Sequence, residues 1–443
     1  MSYLIIGAGP CGLATAKALK DADFSYDHVE ADFSIGGNWL HGVYSSVYTD
    51  ACKDVMQYPE WPMPKDYPDF LSKEQMLTYL NDYADYFDLR RKIRFHTKVT
   101  WIEAVENNEW KAIFENGSSN LYSGIIICNG HHWDPKFADL QGSFSGEFIH
   151  SKQYVSPSQL QNKRVLVIGS GNSAADISCE AARVSICSVM SMKDSPWIFP
   201  KTFMGIPLGK MKLKNSPTFL QPLLVYLLIK ISFGKHSLYN LPEPKHRPFD
   251  KHPTVSEELP YYLKHGRIKV KPEIIKTENN TVWFADNSCM EFDLIVSATG
   301  FNLSFPFLPA ELTRKEGQNL KCVGFCVYPD YKGLFFIGWQ QVRGGIGSLA
   351  SAFSKVIIDL IRLEETTNRP SGEVLESLGN RVSKTHLYAP KDVFNWIAKH
   401  SYSKLIKKAE KQMRHDLHKN KPTHSLNLLS SISSQLSGKQ PPK

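Results

Sequence analysis

Two short stretches of this chain have the residue types and spacing that hold a diphosphate. Gly7-Ala8-Gly9-Pro10-Cys11-Gly12 follows the apolar run Tyr3-Leu4-Ile5-Ile6, and Gly169-Ser170-Gly171-Asn172-Ser173-Ala174 follows Val165-Leu166-Val167-Ile168. In each, the first glycine permits a tight turn out of a buried strand and the second lets the backbone come close to a pyrophosphate. The third position, Gly12 or Ala174, must be small so that helix and strand can pack. The helix that opens there offers free N–H groups and a positive dipole end to the phosphates. One such turn is weak evidence. Two, each set between a strand-like run and a helix-like stretch (13–20 and 174–182), predict two dinucleotides, and a flavin reduced by a nicotinamide is the simplest chemistry that uses both.

An acidic residue about 20 positions on holds ribose hydroxyls in such units. Glu30, at the end of the predicted strand Tyr26-Asp27-His28-Val29, suits an adenosine ribose without a 2′-phosphate, as in FAD. In the second unit the predicted strand Val184 to Met190 leads into Ser191-Met192-Lys193-Asp194, where a cation and a hydroxyl suit a 2′-phosphate. Lys193 therefore favours NADPH over NADH, with Asp194 beside it weighing against.

These turns need parallel sheets behind them. Strand–helix alternation around both predicts an α/β fold with two doubly wound, Rossmann-like dinucleotide-binding domains. The expected division is a first part of the FAD domain over 1–155, an inserted NADP domain over 156–290 and the rest of the FAD domain over 291–418, with strands over 289–297 and 333–337 closing the first sheet. Helices are expected over 73–86 and 347–363, and the Ser-, Lys- and Pro-rich stretch 419–443 reads as a disordered basic tail. The net charge of +8 is mild and concentrated near the C-terminus, from Lys404 to Lys421, so it does not argue for nucleic acid. The eight cysteines include no CxxC, which fits reduced thiols in the cytoplasm. The apolar core of Phe219 to Phe233, Leu223 to Ile229, is far short of the ~20 residues of a membrane span. A buried or capping helix is expected there, with a weak peripheral membrane contact or a homodimer contact as the other uses of such a face. His131 and His132 lack the carboxylate or thiolate partners of a metal site, so no metal is expected.

A third motif lies just before the second turn: Phe144-x-Gly146-x-x-x-His150-x-x-x-Tyr154. With Gly36-Gly37-Asn38-Trp39, Cys128-Asn129-Gly130-His131-His132 and Ser297-Ala298-Thr299-Gly300-Phe301, it resembles the flavin-containing monooxygenases, the class B flavoprotein monooxygenases. Tyr154-Val155 stands where type I Baeyer–Villiger relatives carry a different ending. The resemblance spans roughly residues 3–365. It implies that Gly7, Gly9, Pro10, Cys11 and Gly12 lie along the FAD pyrophosphate and that Glu30 holds its ribose. It places Asn38, Trp39, Thr49, Asp50 and Ala51 by the flavin, and Gly169, Gly171, Asn172, Ser173, Ala174 and Asp176 around NADP. His150 and Tyr154 are implied to couple the two domains rather than to transfer protons; on the residues alone His150 is equally a packed loop histidine. At Asp50 many relatives carry Asn. An ionised carboxylate lacks the N–H donors of an amide and would set a negative charge beside the oxygenated flavin, either preserving the chemistry or letting peroxide leak. Asp50 is thus the one catalytic candidate.

The expected activity is NADPH-dependent oxygenation of a soft nucleophile, an amine or a thioether, by O2 through a C4a-hydroperoxyflavin. The flavin does the chemistry while the protein binds, orients and excludes water. The rival outcomes are a type II Baeyer–Villiger activity or a largely uncoupled NADPH oxidase. A disulfide reductase would need a redox cysteine pair at the flavin, whereas Cys52 stands alone and Cys322-x-x-x-Cys326 lies elsewhere. A non-catalytic flavoprotein using its basic tail as a docking arm is the remaining class.

Overall fold

The computed structural model describes residues 2–411 apart from 212–215, 218, 343, 344, 383–386, 389–395, 398, 400, 402 and 410, so the expected basic tail at 419–443 lies outside the described residues. Ten strands, β1 (Tyr3–Ile6), β2 (Tyr26–Val29), β3 (Ile93–Arg94), β4 (Gly124–Ile127), β5 (Glu147–His150), β6 (Arg164–Ile168), β7 (Cys187–Ser191), β8 (Ile268–Lys271), β9 (Leu294–Ser297) and β10 (Leu334–Phe336), form two parallel five-stranded sheets. Their orders are β10-β4-β1-β2-β3 and β8-β7-β6-β9-β5. Setting the fifth strand aside, both units read fourth–first–second–third, the architecture of the α/β dinucleotide-binding class.

Each sheet is buried on both faces, which is why its central strands are apolar without alternation. In the first sheet, Ile5, Ile126 and Phe335 face the helices α1 (Pro10–Asp21) and α5 (Ile346–Thr367), while Leu4, Ile125 and Phe336 face an antiparallel meander over 99–122 that includes Trp110 and Phe114. In the second, Val165, Val167 and Val296 face α3 (Asn172–Val184), while Leu166, Val189 and Ile295 face a meander over 274–291. Each unit thus has three layers. Helix α2 (Lys73–Tyr86) matches the expected 73–86 and starts at a capping box, with Ser72 Oγ accepting from the Gln75 amide at 3.3 Å and Gln75 Oε1 accepting from the Ser72 amide at 3.0 Å.

Two expectations change. The strand expected over 289–297 is two: Cys289–Glu291 ends the second meander, and β9 follows after a turn at Asp293, whose carboxylate takes two bonds from the Arg164 guanidinium at 3.0 and 2.7 Å and one from its amide at 2.7 Å. β9 pairs with β6 and β5, so it belongs to the second sheet, and β10 alone closes the first. The second sheet therefore begins before 156 and ends after 290. An all-apolar run reports burial on two faces, not which sheet it joins.

Helix α4 (Gln221–Ser232) covers one side of a large cavity through Gln221 and Val225, and turns Leu223, Leu227 and Ile231 outward at 55%, 48% and 72% exposure. It is a capping helix, and among the described residues no helix is long and apolar enough to cross a membrane. The basic stretch after Ser403 is not only a solvated helix: residues 403–409 are helical, and Leu405, Ile406 and Ala409 are buried in the first core with α5.

Candidate active site

The first fingerprint turn is built as its spacing requires. Gly7 has φ of +103°, and a Cβ there would lie 2.7 Å from the Cys128 carbonyl oxygen. A Cβ on Gly12 would lie 1.8 Å from Gly7 O, so this position must be bare for α1 to pack on β1. Gly9 instead opens toward Gly37, with nothing nearer than 3.5 Å. Buried His28 supports the turn from β2, its Nε2 bonded to Gly7 O at 3.0 Å; burial lowers its pKa to about 4 and keeps it neutral. Glu30 Oε2 accepts from the Ala8 amide at 2.6 Å and Oε1 from the Asp32 amide at 3.0 Å. Its carboxylate is thereby pinned at the cavity mouth with lone pairs left for a ribose.

The second turn repeats the pattern. Gly169 has φ of +134° and a Cβ there would lie 2.3 Å from Ala298 O, whereas a Cβ on Gly171 would meet nothing within 4 Å. Gly9 and Gly171 are the positions where the backbone faces open space, the room a pyrophosphate needs. A third helix, α5, opens from Gly345 onto the same cavity, so three helix N-termini converge there.

That cavity has a volume of about 1640 Å³. A single ligand pocket is on the order of 300–1,000 Å³, so the space suits two large ligands. Its walls bring together Gly7, Gly9, Pro10, Cys11, Glu30, Asn38, Trp39, Thr49, Asp50, Ala51, Gly169, Gly171, Asn172, Ser173 and Asp176 from the sequence-derived set. Gly12 and Ala174 lie behind the wall as packing positions. Asn38 lines the cavity, but its Oδ1 is buried against Gly42, where a Cβ would lie 1.8 Å from it. The cradle and the pinned Glu30 fit FAD in the first unit, and the second turn fits a second dinucleotide in the other.

At the seam stands Asp50. Asn172 Nδ2 donates to its carboxylate, while Asn172 Oδ1 accepts from the Val255 amide at 2.8 Å. Enclosure in the cleft pushes the Asp50 carboxyl up to about 6 against the opposing pull of Lys201 and Asn172. Asp176, bonded by Tyr44 Oη at 2.6 Å, is pushed up to about 6 chiefly by burial and in part by Asp50 itself. Both carboxyls are thus raised into the same range by enclosure, each chiefly by its own surroundings. Lys201, whose Nζ donates to Thr49 O at 3.4 Å, draws both carboxyls the other way. Sequence reasoning missed Tyr44, Ser46, Glu180 and Lys201. The one signal available was the four-residue spacing of Asn172, Asp176 and Glu180 along α3.

The four motif residues Phe144, Gly146, His150 and Tyr154 lie off the cavity wall, although Ser151 and Lys152 between them line it. Phe144 packs in the second core, and Gly146 is bare because a Cβ would lie 2.7 Å from Asp293 O. His150, the last residue of β5, bonds Gly300 O through Nε2 at 2.9 Å and accepts the Lys152 amide at Nδ1, 3.1 Å. Burial lowers its pKa, so it is a neutral, fully engaged ring. Tyr154 Oη donates to Glu180 of α3. Lys193 is not brought to the site: it is 76% exposed, pairs with Glu273 at 3.4 Å and does not line the cavity, while Asp194 beside it pairs with Lys251 at 3.3 Å.

The family model described as flavin-binding monooxygenase-like matches residues 2–411. An N-oxide-forming dimethylaniline monooxygenase 2 from the rabbit, Oryctolagus cuniculus, is 29% identical over 374 residues, covering 77% of this chain and 70% of that protein. A rabbit flavin-containing monooxygenase 1 is 31% identical over 345 residues, covering 70% and 64%. The chain thus spans about two thirds of the length of these relatives. Among solved structures, a flavin-containing monooxygenase from Stenotrophomonas maltophilia superposes with a TM-score of 0.62 at 18% identity, covering 81% of this chain and 98% of that one. An open form of cyclohexanone monooxygenase does so with a TM-score of 0.70 at 16% identity, covering 93% and 98%.

Proposed function

The chain belongs to the flavin-binding monooxygenase-like family, is an oxidoreductase with FAD and NADPH as its cofactors, and from that premise we propose that it oxygenates soft nucleophiles, amines or thioethers. The observation that carries the reading is the single cavity onto which both fingerprint turns open, with Asp50 of the first unit bonded to Asn172 of the second. FAD, when bound, supplies the redox chemistry, taking a hydride from NADPH and activating dioxygen.

The protein's own residues bind, orient and shield. Gly7, Gly9 and the α1 N-terminus take the FAD diphosphate, and Glu30 takes its ribose. Gly171, Ser173 and the α3 N-terminus take the nicotinamide cofactor. Asp50, held by the Asn172 amide, offers a carboxylate that takes up or releases a proton near neutral pH at the meeting point of the two ligands. Phe70, Phe199, Val225, Phe249 and Val255 give the cavity an apolar lobe that suits the body of a lipophilic amine or sulfide and keeps water away. Helix α4 closes this lobe from outside. All eight cysteines are free, which supports a reducing, cytoplasmic setting.

The test is NADPH-dependent O2 consumption by the FAD-loaded protein with a tertiary amine, a thioether and a cyclic ketone, measuring product and peroxide together. N-oxide or sulfoxide formed in step with NADPH supports the proposal. Lactone from the ketone alone assigns a Baeyer–Villiger activity instead. Peroxide equal to NADPH with every substrate makes the protein an oxidase and overturns it.

A further inference from the structure

Helix α3 carries more than its phosphate-facing end. Asn172, Asp176 and Glu180 recur every four residues and so share one face. All three bond to the 44–50 segment of the first unit: Asn172 Nδ2 donates to Asp50, Tyr44 Oη donates to Asp176 at 2.6 Å, and Ser46 Oγ donates to Glu180. The inner rung differs from the other two. Glu180 is 7% exposed and off the cavity wall, and both its partners are hydroxyls, Ser46 Oγ and the Tyr154 Oη of the crossover from β5 to β6 within the second sheet. The Tyr44 and Tyr154 rings pack 5.6 Å apart, and the Ser45 amide bonds Val155 O at 2.9 Å. One carboxylate thereby ties together the segment bearing Asp50, the crossover bearing the end of the 144–154 motif, and the helix that opens the nicotinamide-nucleotide turn.

Burying a carboxylate costs several kcal/mol unless it is hydrogen-bonded, and an apolar side chain of similar size often gives equal or greater stability. Packing alone therefore does not account for an acid here. What a carboxylate adds is a pair of directed acceptors that specify which hydroxyls dock and in what register. We propose that Glu180 is a positioning residue: by clamping Ser46 and Tyr154 to α3 it sets where Asp50 stands against the nicotinamide-nucleotide turn, and so sets how long oxidised cofactor stays and how much reduced cofactor is spent on peroxide. The inference rests on the role given to Asp50 above, and goes beyond it by giving control to a group that touches neither cofactor.

The test uses the full chain loaded with FAD and the variants E180Q, E180A, S46A, Y154F, D50N and D50N/E180A. With E180A, peroxide released per product rises and NADP+ affinity falls, each by about five-fold, as expected when one of several coupled contacts is lost. E180Q, which keeps one acceptor, falls between E180A and wild type, and flavin content is unchanged in both. Because Glu180 acts through the segment bearing Asp50, D50N/E180A shows no further rise over D50N. In hydrogen exchange, the Ser45 and Thr49 amides exchange faster in E180A and S46A without added substrate. Additive effects in the double variant overturn the proposal, as does a lower melting temperature with peroxide ratio, NADP+ affinity and exchange unchanged. If E180A fails to fold, E180Q and S46A decide. If the wild type forms no oxygenated product, the functional reading fails alone, and NADP+ affinity and exchange still decide the role of Glu180.

Discussion

Asp50 and Asp176 decide what pH does to the site. Each carboxyl is pushed up to about 6, first by burial, against an ordinary value of 3.8. Near pH 5 the pair is largely protonated; through pH 6 it charges; by pH 7.5 the Asp50 carboxylate is the ionised acceptor of the Asn172 amide. A charge-assisted bond is about twice as strong as a neutral one, so the contact across the seam tightens as pH rises through this window. The fraction of NADPH lost to peroxide should therefore fall between pH 5 and 7.5 with its midpoint near 6. In D50N the Asn side chain does not titrate and Asp176 loses a like-charged neighbour, so any remaining inflection moves to lower pH. An unaltered profile and an unaltered ratio in D50N would remove Asp50 from the mechanism. The glycines give a second contrast. Gly12→Ala sets a Cβ 1.8 Å from Gly7 O and should yield a protein that melts early and holds little FAD. Gly171→Ala meets no protein atom within 4 Å, so it should melt like the wild type while KM for NADPH rises about ten-fold, as the methyl takes room meant for phosphate. Equal melting losses in the two variants would show that space around these glycines was misjudged.

Among the elements, those read correctly carry their signal locally. Helix α2 has both its capping box and its apolar period within 72–86, and the fingerprint turns announce β1-α1 and β6-α3. The elements misplaced are those whose identity depends on a partner. Leu294 to Ser297 is apolar on both faces and would serve either sheet; only its pairing with β6 assigns it. The four-residue ladder on α3 was visible in the sequence, but segment 44–50, which completes it, has no regular period and no way to declare what it faces. Glu364 is a similar case. Near the end of α5, its carboxylate accepts from the Gly333 amide at 2.9 Å, just before β10, and from the Ser371 amide and hydroxyl at 2.9 and 2.7 Å. Burial pushes its pKa up to about 7 from 4.5. With the folded value above the unfolded one, the native state binds the extra proton between those limits, so this group's contribution to stability falls as pH rises from 4.5 to 7 and is level beyond. Glu364→Gln should flatten that part of the melting-temperature profile. Below pH 4.5 it should also lower stability by about 1–3 kcal/mol, because an amide NH2 then faces a buried N–H donor, and that deficit should shrink as pH rises to 7 and the wild type loses stability. A variant whose melting temperature keeps the wild-type slope would assign the pH dependence elsewhere.

At the scale of the whole molecule, two units of the same strand order set the carboxyl ends of their strands on one cavity, the place where open α/β sheets bind ligands. Their difference lies in the fifth strand. β5 precedes the second unit and ends in His150, so the crossover at 151–155 runs straight from the edge of one sheet to the docking surface of the 44–50 segment. β10 follows the first unit and feeds α5, which packs along α1 through Thr15 Oγ1 and Ser354 Oγ, 3.1 Å apart. The C-terminal helix over 403–409 completes that packing: Leu405, Ile406 and Ala409 are 0%, 7% and 6% exposed in the same core, while Lys404, Lys407 and Lys408 face outward. The cationic character of this stretch and its structural work therefore sit on opposite faces and can be separated. Ending the chain after Ser403 removes the buried side chains, and the loss of Leu405 alone is worth about 2–5 kcal/mol. The truncated protein should melt markedly earlier and lose FAD, because α1 and α5 line the flavin turn from behind. Replacing Lys407 and Lys408 by Gln removes charge and leaves the buried face intact, so stability should shift by no more than about 0.5 kcal/mol and FAD content should not change. A truncated chain that melts and turns over like the full one would return the helix to the role of a solvated arm. Loss of activity in the Gln variant at unchanged melting temperature would instead assign the charge a part in drawing in the anionic cofactor.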